Sequence, residues 1–339
     1  MSEEKQPLSP TPEESDRRGG YHPPEADPPA QQPEPEKKPE HSHKHRQKSV
    51  FQYITILFAA AFVLLLYTFM MERRQNDILQ QQSNDKLNQL QLYVEHTYLF
   101  SGLSEMWRDE TPLTAEEIRE LDAYCAKLHI ELVPSIATFG HLYMLLSTKS
   151  YGDLCEFPDS WKEPFSFWDR MQHHTVDVSG GRAIELIKAM IEEYMALFAT
   201  DKFNICADET FDLGKGKGVH RLYIDYVKEL CEFLVAKGKK PMFWGDIICA
   251  QPELIKELPE ETVCLTWGYA AEQREHEAKV MAEAGARQYL CPGVGGWNQW
   301  MNLVENSYKN IARMCGYARK YHAEGVLNTD WGDCGHINQ

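Results

Sequence analysis

The sequence predicts an α/β fold: a (β/α)8 barrel of TIM type, incomplete at about seven strands, behind a disordered tail and one transmembrane helix. Three observations predict it. From residue 88 onward, short apolar runs alternate with segments of helical spacing, the pattern of a parallel sheet with crossover helices. Carboxylates and tryptophans recur where the apolar runs end, and in such barrels reactive groups gather at the carboxyl ends of the strands. Ahead of residue 88 the composition changes abruptly, twice.

Residues 1–49 are rich in Pro, Glu, Gln, Lys and Ser, and ten of the eighteen prolines precede residue 40. A segment so poor in large apolar groups cannot offset its conformational entropy, so it reads as disordered. His41, His43 and His45 alternate there, within a solvated basic stretch.

Residues 50–71 carry no charge and consist mainly of Phe, Ile, Leu, Ala and Val. At about 1.5 Å per residue they reach about 33 Å, enough to span the hydrocarbon core as a helix. They start too late and run too long for a cleaved signal peptide. Residues 72–87 are polar and Gln-rich and read as a helical stalk or linker. The expected protein is therefore single-pass, held in the membrane by residues 50–71. Lys37, Lys38, Lys44, Arg46 and Lys48 favour a cytoplasmic amino terminus. All nine cysteines lie after residue 120 with no Cys-x-x-Cys pair, the usage of a reducing compartment. These two signals conflict over the side on which the domain at 88–339 lies, and both sides stay open.

The strands of that domain are expected at 89–98, 130–136, 203–207, 241–248, 262–267, 288–291 and 326–330. Thr114 and Glu117 form a capping box for a helix through about Leu128. Helical spacing follows at 182–198, where Ile184, Ile187, Ile191 and Met195 share a face. Further helices are expected at 219–237, closed by Gly238, at 271–284, closed by Gly285, and at 303–322, closed by Gly325. Residues 150–178, rich in Trp, Phe and Pro, read as a long loop over a site. A doubly wound open sheet is the competing architecture, but no Gly-rich phosphate loop follows the first strand. The run Gly214-Lys215-Gly216-Lys217-Gly218 lacks the Walker spacing. The net charge of -16 argues against a nucleic-acid partner.

The chemistry centres on Asp208 and Glu209, which follow the run Phe-Asn-Ile-Cys-Ala. Adjacent residues of a regular strand face opposite sides, so both carboxylates serve one site only where the strand ends. Mutual repulsion and partial burial would leave one of them protonated, as a general acid beside an ionised partner. Glu95, His96, His141, Trp244, Asp246, Trp267, Trp297, Trp300, Trp331 and Asp333 also fall at strand ends. Tryptophan faces pack on sugar rings while carboxylates and His hold hydroxyls, which suggests a carbohydrate pocket. A metallohydrolase using His96, His141, His336 and Asp246 is the rival, without the short ligand spacing that would support it. Cys206 could act as a nucleophile, but no basic partner is identifiable and a small buried residue is the simpler account.

These residues also carry a resemblance. Ile-Cys-Ala-Asp-Glu-Thr at 205–210 resembles the strand-4 signature of family 20 glycoside hydrolases, the β-N-acetylhexosaminidases. Ile-Glu-Leu-Val-Pro-Ser-Ile-Ala-Thr-Phe-Gly-His, Met-Phe-Trp-Gly-Asp, Leu-Thr-Trp, Cys-Pro-Gly-Val-Gly-Gly-Trp-Asn and Thr-Asp-Trp-Gly-Asp resemble its strands 3, 5, 6, 7 and 8. The likeness is to the bacterial and hexosaminidase D-like branch and covers about residues 88–339.

The resemblance implies removal of terminal β-linked N-acetylhexosamine by substrate-assisted retaining hydrolysis, an exception to the usual pair of enzyme carboxylates. Glu209 would be the general acid and then the base. Asp208 would orient the acetamido group that attacks the anomeric carbon. Trp244, Trp267 and Trp331 would wall the acetamido pocket, and His141, Trp297, Asn298 and Asp333 would contact the sugar. Implied partners are N-acetylhexosamine-containing glycans or glycosides; no cofactor and no metal are implied. The family's first strand, with its sugar-binding Arg, and its last helix have no counterpart here, so the anchor and stalk read as an unrelated segment joined near Leu87. The alternative function is an inactive barrel acting as a sugar-binding or membrane-anchored interaction protein.

Overall fold

The computed structural model describes residues 55–74, 88–107, 111–158, 175–210, 213, 220–297 and 299–331. The tail at 1–49 and nearly all of the stalk lie outside these residues. The chain divides at Arg74 into two compact units.

The first unit contains helix α1 (Thr55–Arg74), 20 residues long, with mean hydropathy 2.0 over an 18-residue window and no buried part of that window. It is long and apolar enough to cross a membrane by length and composition. It runs three residues past the expected end at 71, into Glu72, Arg73 and Arg74.

The second unit is a seven-stranded parallel sheet in sequence order, β1-β2-β3-β4-β5-β6-β7. The strands are β1 (Asn88–Val94), β2 (Ile130–Ile136), β3 (Lys202–Asn204), β4 (Lys240–Trp244), β5 (Val263–Trp267), β6 (Arg287–Cys291) and β7 (Gly325–Val326). Interleaved are α2 (Ala115–Lys127), α3 (Gly181–Met195), α4 (His220–Ala236), α5 (His276–Ala284) and α6 (Val304–Lys320). Every strand expected from the sequence is present. Among the described residues, β1 pairs only with β2, and β7 only with β6, so the barrel is open by a seam between them. Leu90 on β1 is 48% exposed and Val326 on β7 is 42% exposed, as expected of sheet edges.

Strand alternation sorts the side chains into two cores. On β4, Phe243 joins the outer layer beneath the helices, while Met242 and Trp244 point into the barrel. On β5, Cys264 lies outside and Val263 and Leu265 inside. Val133, Cys206 and Cys291 complete the inner core, with Tyr93, Trp267, Leu327 and Trp331 packed against it. Trp244 and Trp267 are the last residues of their strands, so the alternation itself aims both at the mouth of the barrel.

The Thr114–Glu117 capping box is formed: Thr114 Oγ1 accepts from the Glu117 amide at 3.2 Å, and Glu117 Oε2 accepts from the Thr114 amide at 2.8 Å. Gly238 (φ 75°) and Gly285 (φ 86°) take the left-handed positions after α4 and α5. The last helix departs from expectation. His322 (φ 53°) holds the left-handed position after α6, and Gly325 opens β7 instead. A Cβ on Gly325 would stand 3.1 Å from the Tyr289 ring, a tight contact that favours glycine there. Helix α5 starts five residues later than expected, after a turn at 271–272.

Candidate active site

The strand leading to the two carboxylates ends early, at Asn204, and this early ending builds the site. Cys206 (φ 54°), Ala207 (φ 57°) and Glu209 (φ 33°) all take left-handed backbone. Each such non-glycine residue costs about 1–3 kcal/mol and persists only where its surroundings hold it. Here they do. The Cys206 amide donates to Asn204 Oδ1 at 2.9 Å, and the Trp244 amide donates to the Cys206 carbonyl at 2.8 Å. Tyr223 Oη donates to the Ala207 carbonyl at 2.8 Å, and the Glu209 amide donates to Asp246 Oδ2 at 3.1 Å. Gly140 packs beneath: a Cβ there would lie 2.5 Å from the Asp208 carbonyl oxygen and 2.0 Å from that of Glu209. The irregular backbone breaks the strand's alternation, so two consecutive carboxylates reach the same imidazole.

That imidazole is His141. Its Nε2 stands 3.3 Å from Glu209 Oε2 and 3.7 Å from Asp208 Oδ2. Its Nδ1 stands 3.2 Å from Glu95 Oε1. Tyr93 Oη closes the chain by donating to Glu95 Oε1 at 2.9 Å. His141 itself is left-handed (φ 58°), at the end of a loop tied down by Thr138. Thr138 Oγ1 donates to the Ile205 carbonyl, and the Thr138 carbonyl accepts from Tyr226 Oη, both at 2.5 Å.

The electrostatics follow from this arrangement. Burial alone would depress the His141 pKa, but hydrogen bonds to Glu209 and Glu95 and the charge of Asp208 hold it well above 6.5. Burial works against the Glu95 carboxylate too, yet His141, Tyr93 and His96 keep its pKa below 4.5. His141 is thus an imidazolium between carboxylates, with Glu95 fixing its ring and its charge. Asp246 differs. Burial and the charge of Asp208 push its pKa up to about 7, against the Glu209 amide, which favours the ion. The sequence points to one proton held within the adjacent pair; the structure adds a third carboxylate that keeps its proton more readily than a free one.

An aromatic wall adjoins the carboxylates. Trp331 meets Trp244 with ring centroids 5.7 Å apart, and Tyr93 at 5.5 Å. Trp331 Nε1 donates to Tyr269 Oη at 3.0 Å. Tyr269 stacks on Trp267 (5.2 Å, 16°) and takes Trp297 edge-on (4.9 Å). Tyr93 joins wall to carboxylates, since its ring also lies 6.4 Å from that of His141. Asp208, Glu209, His141, Trp244, Trp267, Trp297 and Trp331 therefore belong to one connected group. Asn298 and Asp333 lie outside the described residues. Trp300 is 82% exposed and no part of the wall.

Sequence reading left Tyr93 and Tyr269 without a role, gave Glu95 none beyond its place at a strand end, and gave Asp246 only such a place and a part in the rival metal set. Tyr93 and Glu95 share parity at the end of β1, a signal available in the sequence. Tyr269 carried none, because two of its three aromatic partners, Trp297 and Trp331, come from other segments. No group of three His, Cys, Asp or Glu among the described residues is placed to hold a metal ion; His141 and Asp246 have the partners given above, and His336 lies outside those residues. Cys206 is fully buried, 3.3 Å from Ser135 Oγ. Burial and the charge of Asp208 push its thiol far up, which disfavours the thiolate a nucleophile needs.

Residues 79–329 match the family model described as "Glycosyl hydrolase family 20, catalytic domain". The match opens nine residues before the start at 88 expected from the motifs. Hexosaminidase D of Bos taurus is 20% identical over 279 residues, 74% of this chain and 77% of that protein. Hexosaminidase D of Homo sapiens is 21% identical over 273 residues, 72% of this chain but 54% of that protein. The X-ray structure of Flavobacterium johnsoniae chitobiase aligns with a TM-score of 0.53 at 20% identity, over 74% of this chain and 40% of that one, a likeness of fold. The chain thus spans about half of the human relative and less than half of the chitobiase. Matched over most of its sheet domain, the chain belongs to glycosyl hydrolase family 20.

Proposed function

We propose that the barrel removes terminal β-linked N-acetylhexosamine from glycans or glycosides, by substrate-assisted retaining hydrolysis. The observation that carries this reading is His141, bracketed by Glu95 and the Asp208–Glu209 pair beside an aromatic wall. Glu209, the more exposed of the pair, protonates the leaving glycosidic oxygen and then takes a proton from the incoming water. Such placed proton transfer is commonly worth about 10²–10⁴-fold. Asp208, more buried, holds the acetamido nitrogen so that the acetamido oxygen reaches the anomeric carbon, and it offsets the positive charge that develops on the ring so formed. His141 orients Glu209 and is itself oriented by Glu95. Trp244, Trp267 and Trp331 enclose the acetamido group and exclude water, and Trp297 packs on the sugar from the outer end of the wall. The apolar span at 50–71, most of which α1 contains, anchors the chain in a membrane.

The test is release of chromophore from an aryl β-N-acetylglucosaminide by the full chain, beside Glu209→Gln. Turnover by the first and not the second supports the reading; equal turnover, or none from either, refutes it. A second reading, sugar binding without hydrolysis, is favoured by the open seam. A cavity of about 360 Å³ lies there, lined by Gln89, Gln91, Tyr93, Trp244, Leu327 and Trp331 among others. Binding of N-acetylglucosamine by a folded, inactive full chain would select it.

A further inference from the structure

We infer that Asp246 is the positioning residue of the Asp208–Glu209 pair: it fixes the Glu209 peptide through the amide, and its buried carboxyl lies beside theirs. This rests on the reading of Glu209 as the acid. The amide of Glu209 is anchored where its side chain enters the site: it donates to Asp246 Oδ2 at 3.1 Å. Glu209 has left-handed backbone, which an unheld residue would leave. Gly140 presses on the opposite side of this peptide, against its carbonyl oxygen. Asp246 thus holds the Asp208–Glu209 peptide by its N–H, while Gly140 leaves room for the carbonyl oxygens of Asp208 and Glu209.

Asp246 can hold the amide because of where β4 stops. Trp244 is the last strand residue, Gly245 fits against Cys264 where a Cβ would lie 2.4 Å from the sulfur, and the chain turns at Asp246. The groups facing its carboxyl are Asp208 and Glu209 from the end of β3, Tyr223 from α4, Cys249 from the following turn, and Cys264 from β5. None is a cation. Oδ1 is buried and has no hydrogen-bond partner among the described residues. An acid so surrounded keeps its proton more readily than a free one. When it does ionise, it adds negative charge beside Glu209 and makes that acid harder to ionise.

Two variants of the full chain in detergent, Asp246→Ala and Asp246→Asn, test this. Hydrogen–deuterium exchange at the Glu209 amide is read with kcat, KM and the pH profile of aryl β-N-acetylglucosaminide hydrolysis. D246A should speed exchange about tenfold or more and lower kcat, with KM held within about threefold. D246N keeps an acceptor for the amide, so exchange should stay slow. Its basic limb of kcat/KM should move about half a pH unit or more to lower pH, because a negative neighbour of Glu209 is gone. Unchanged exchange in D246A, or an unmoved limb in D246N, overturns the inference. Where D246A does not fold, the limb shift of the near-isosteric D246N decides. A wild-type chain without turnover refutes the hydrolase reading instead, and exchange then decides the role of Asp246 alone.

Discussion

Tyr93 and Trp331 meet edge to face across the open seam of the barrel, ring centroids 5.5 Å apart at 89°. Tyr93 stands on β1, and Trp331 follows β7, so the two unpaired edges of the sheet are joined here by side chains. The same two rings tie the carboxylates to the aromatic wall. Trp331→Ala should therefore loosen seam and site together, lowering stability by about 3 kcal/mol and raising KM about tenfold. Trp331→Phe keeps a ring but loses the bond to Tyr269 Oη, and should fall between. Chemical denaturation and steady-state kinetics read both.

Glu209→Gln should lower kcat by about 10²–10⁴-fold with little change in melting temperature, because the amide keeps the side chain's shape but cannot give up a proton. Thermal melting beside chromogenic turnover checks it. A comparable loss of stability would mean that Glu209 serves the fold.

Glu95→Gln removes the carboxylate that orients His141, and kcat should fall about tenfold or more while KM holds. Stability carries a signed pH signature. Glu95 has its pKa lowered, so its contribution is present above about pH 4.5 and is lost as pH falls through the folded value. His141 has its pKa raised, so its contribution is full below about pH 6.5 and is lost as pH rises through the folded value. The melting difference between wild type and Glu95→Gln should be largest between about pH 4.5 and 6.5, and melting curves across pH 3 to 9 test it.

Gly140→Ala should disrupt the pair without touching any reactive atom. The added methyl meets two backbone oxygens that have no flexible side chain to yield. A cost of about 1–3 kcal/mol is expected, with a fall in kcat as the carboxylates shift. Wild-type kcat in a folded Gly140→Ala protein would contradict this packing.

Asp246 should make the domain more stable in acid. Its folded pKa is raised, so its contribution is full below about pH 3.8 and is lost as pH rises through about 7. Asp246→Asn cannot ionise, and its stability should vary less than that of wild type across this interval. Chemical denaturation at pH 5 and pH 8 reads the difference.

The sequence by itself determined the seven strands, the helices between them, the apolar span and the adjacent carboxylates. Local rules govern all of these: period 2 in strands, 3.6 in helices, capping at Thr114, and the bare apolar length of residues 50–71. The direction of Trp244 and Trp267 into the barrel follows from the same alternation. The tertiary structure decided what those rules leave open. Asp208 and Glu209 serve one imidazole because three left-handed residues, anchored by Asn204, Trp244, Tyr223 and Asp246, break the alternation. Glu95 became the partner of His141, Tyr269 joined three tryptophans, and Gly325 opened β7 where the sequence suggested a helix cap. Each depends on residues far apart in the chain meeting at one point. Strand and helix periods are short-range properties of the backbone, whereas the proton affinity of Asp246 and the direction of Glu209 are set by neighbours that only the packing of adjacent strands and helices supplies.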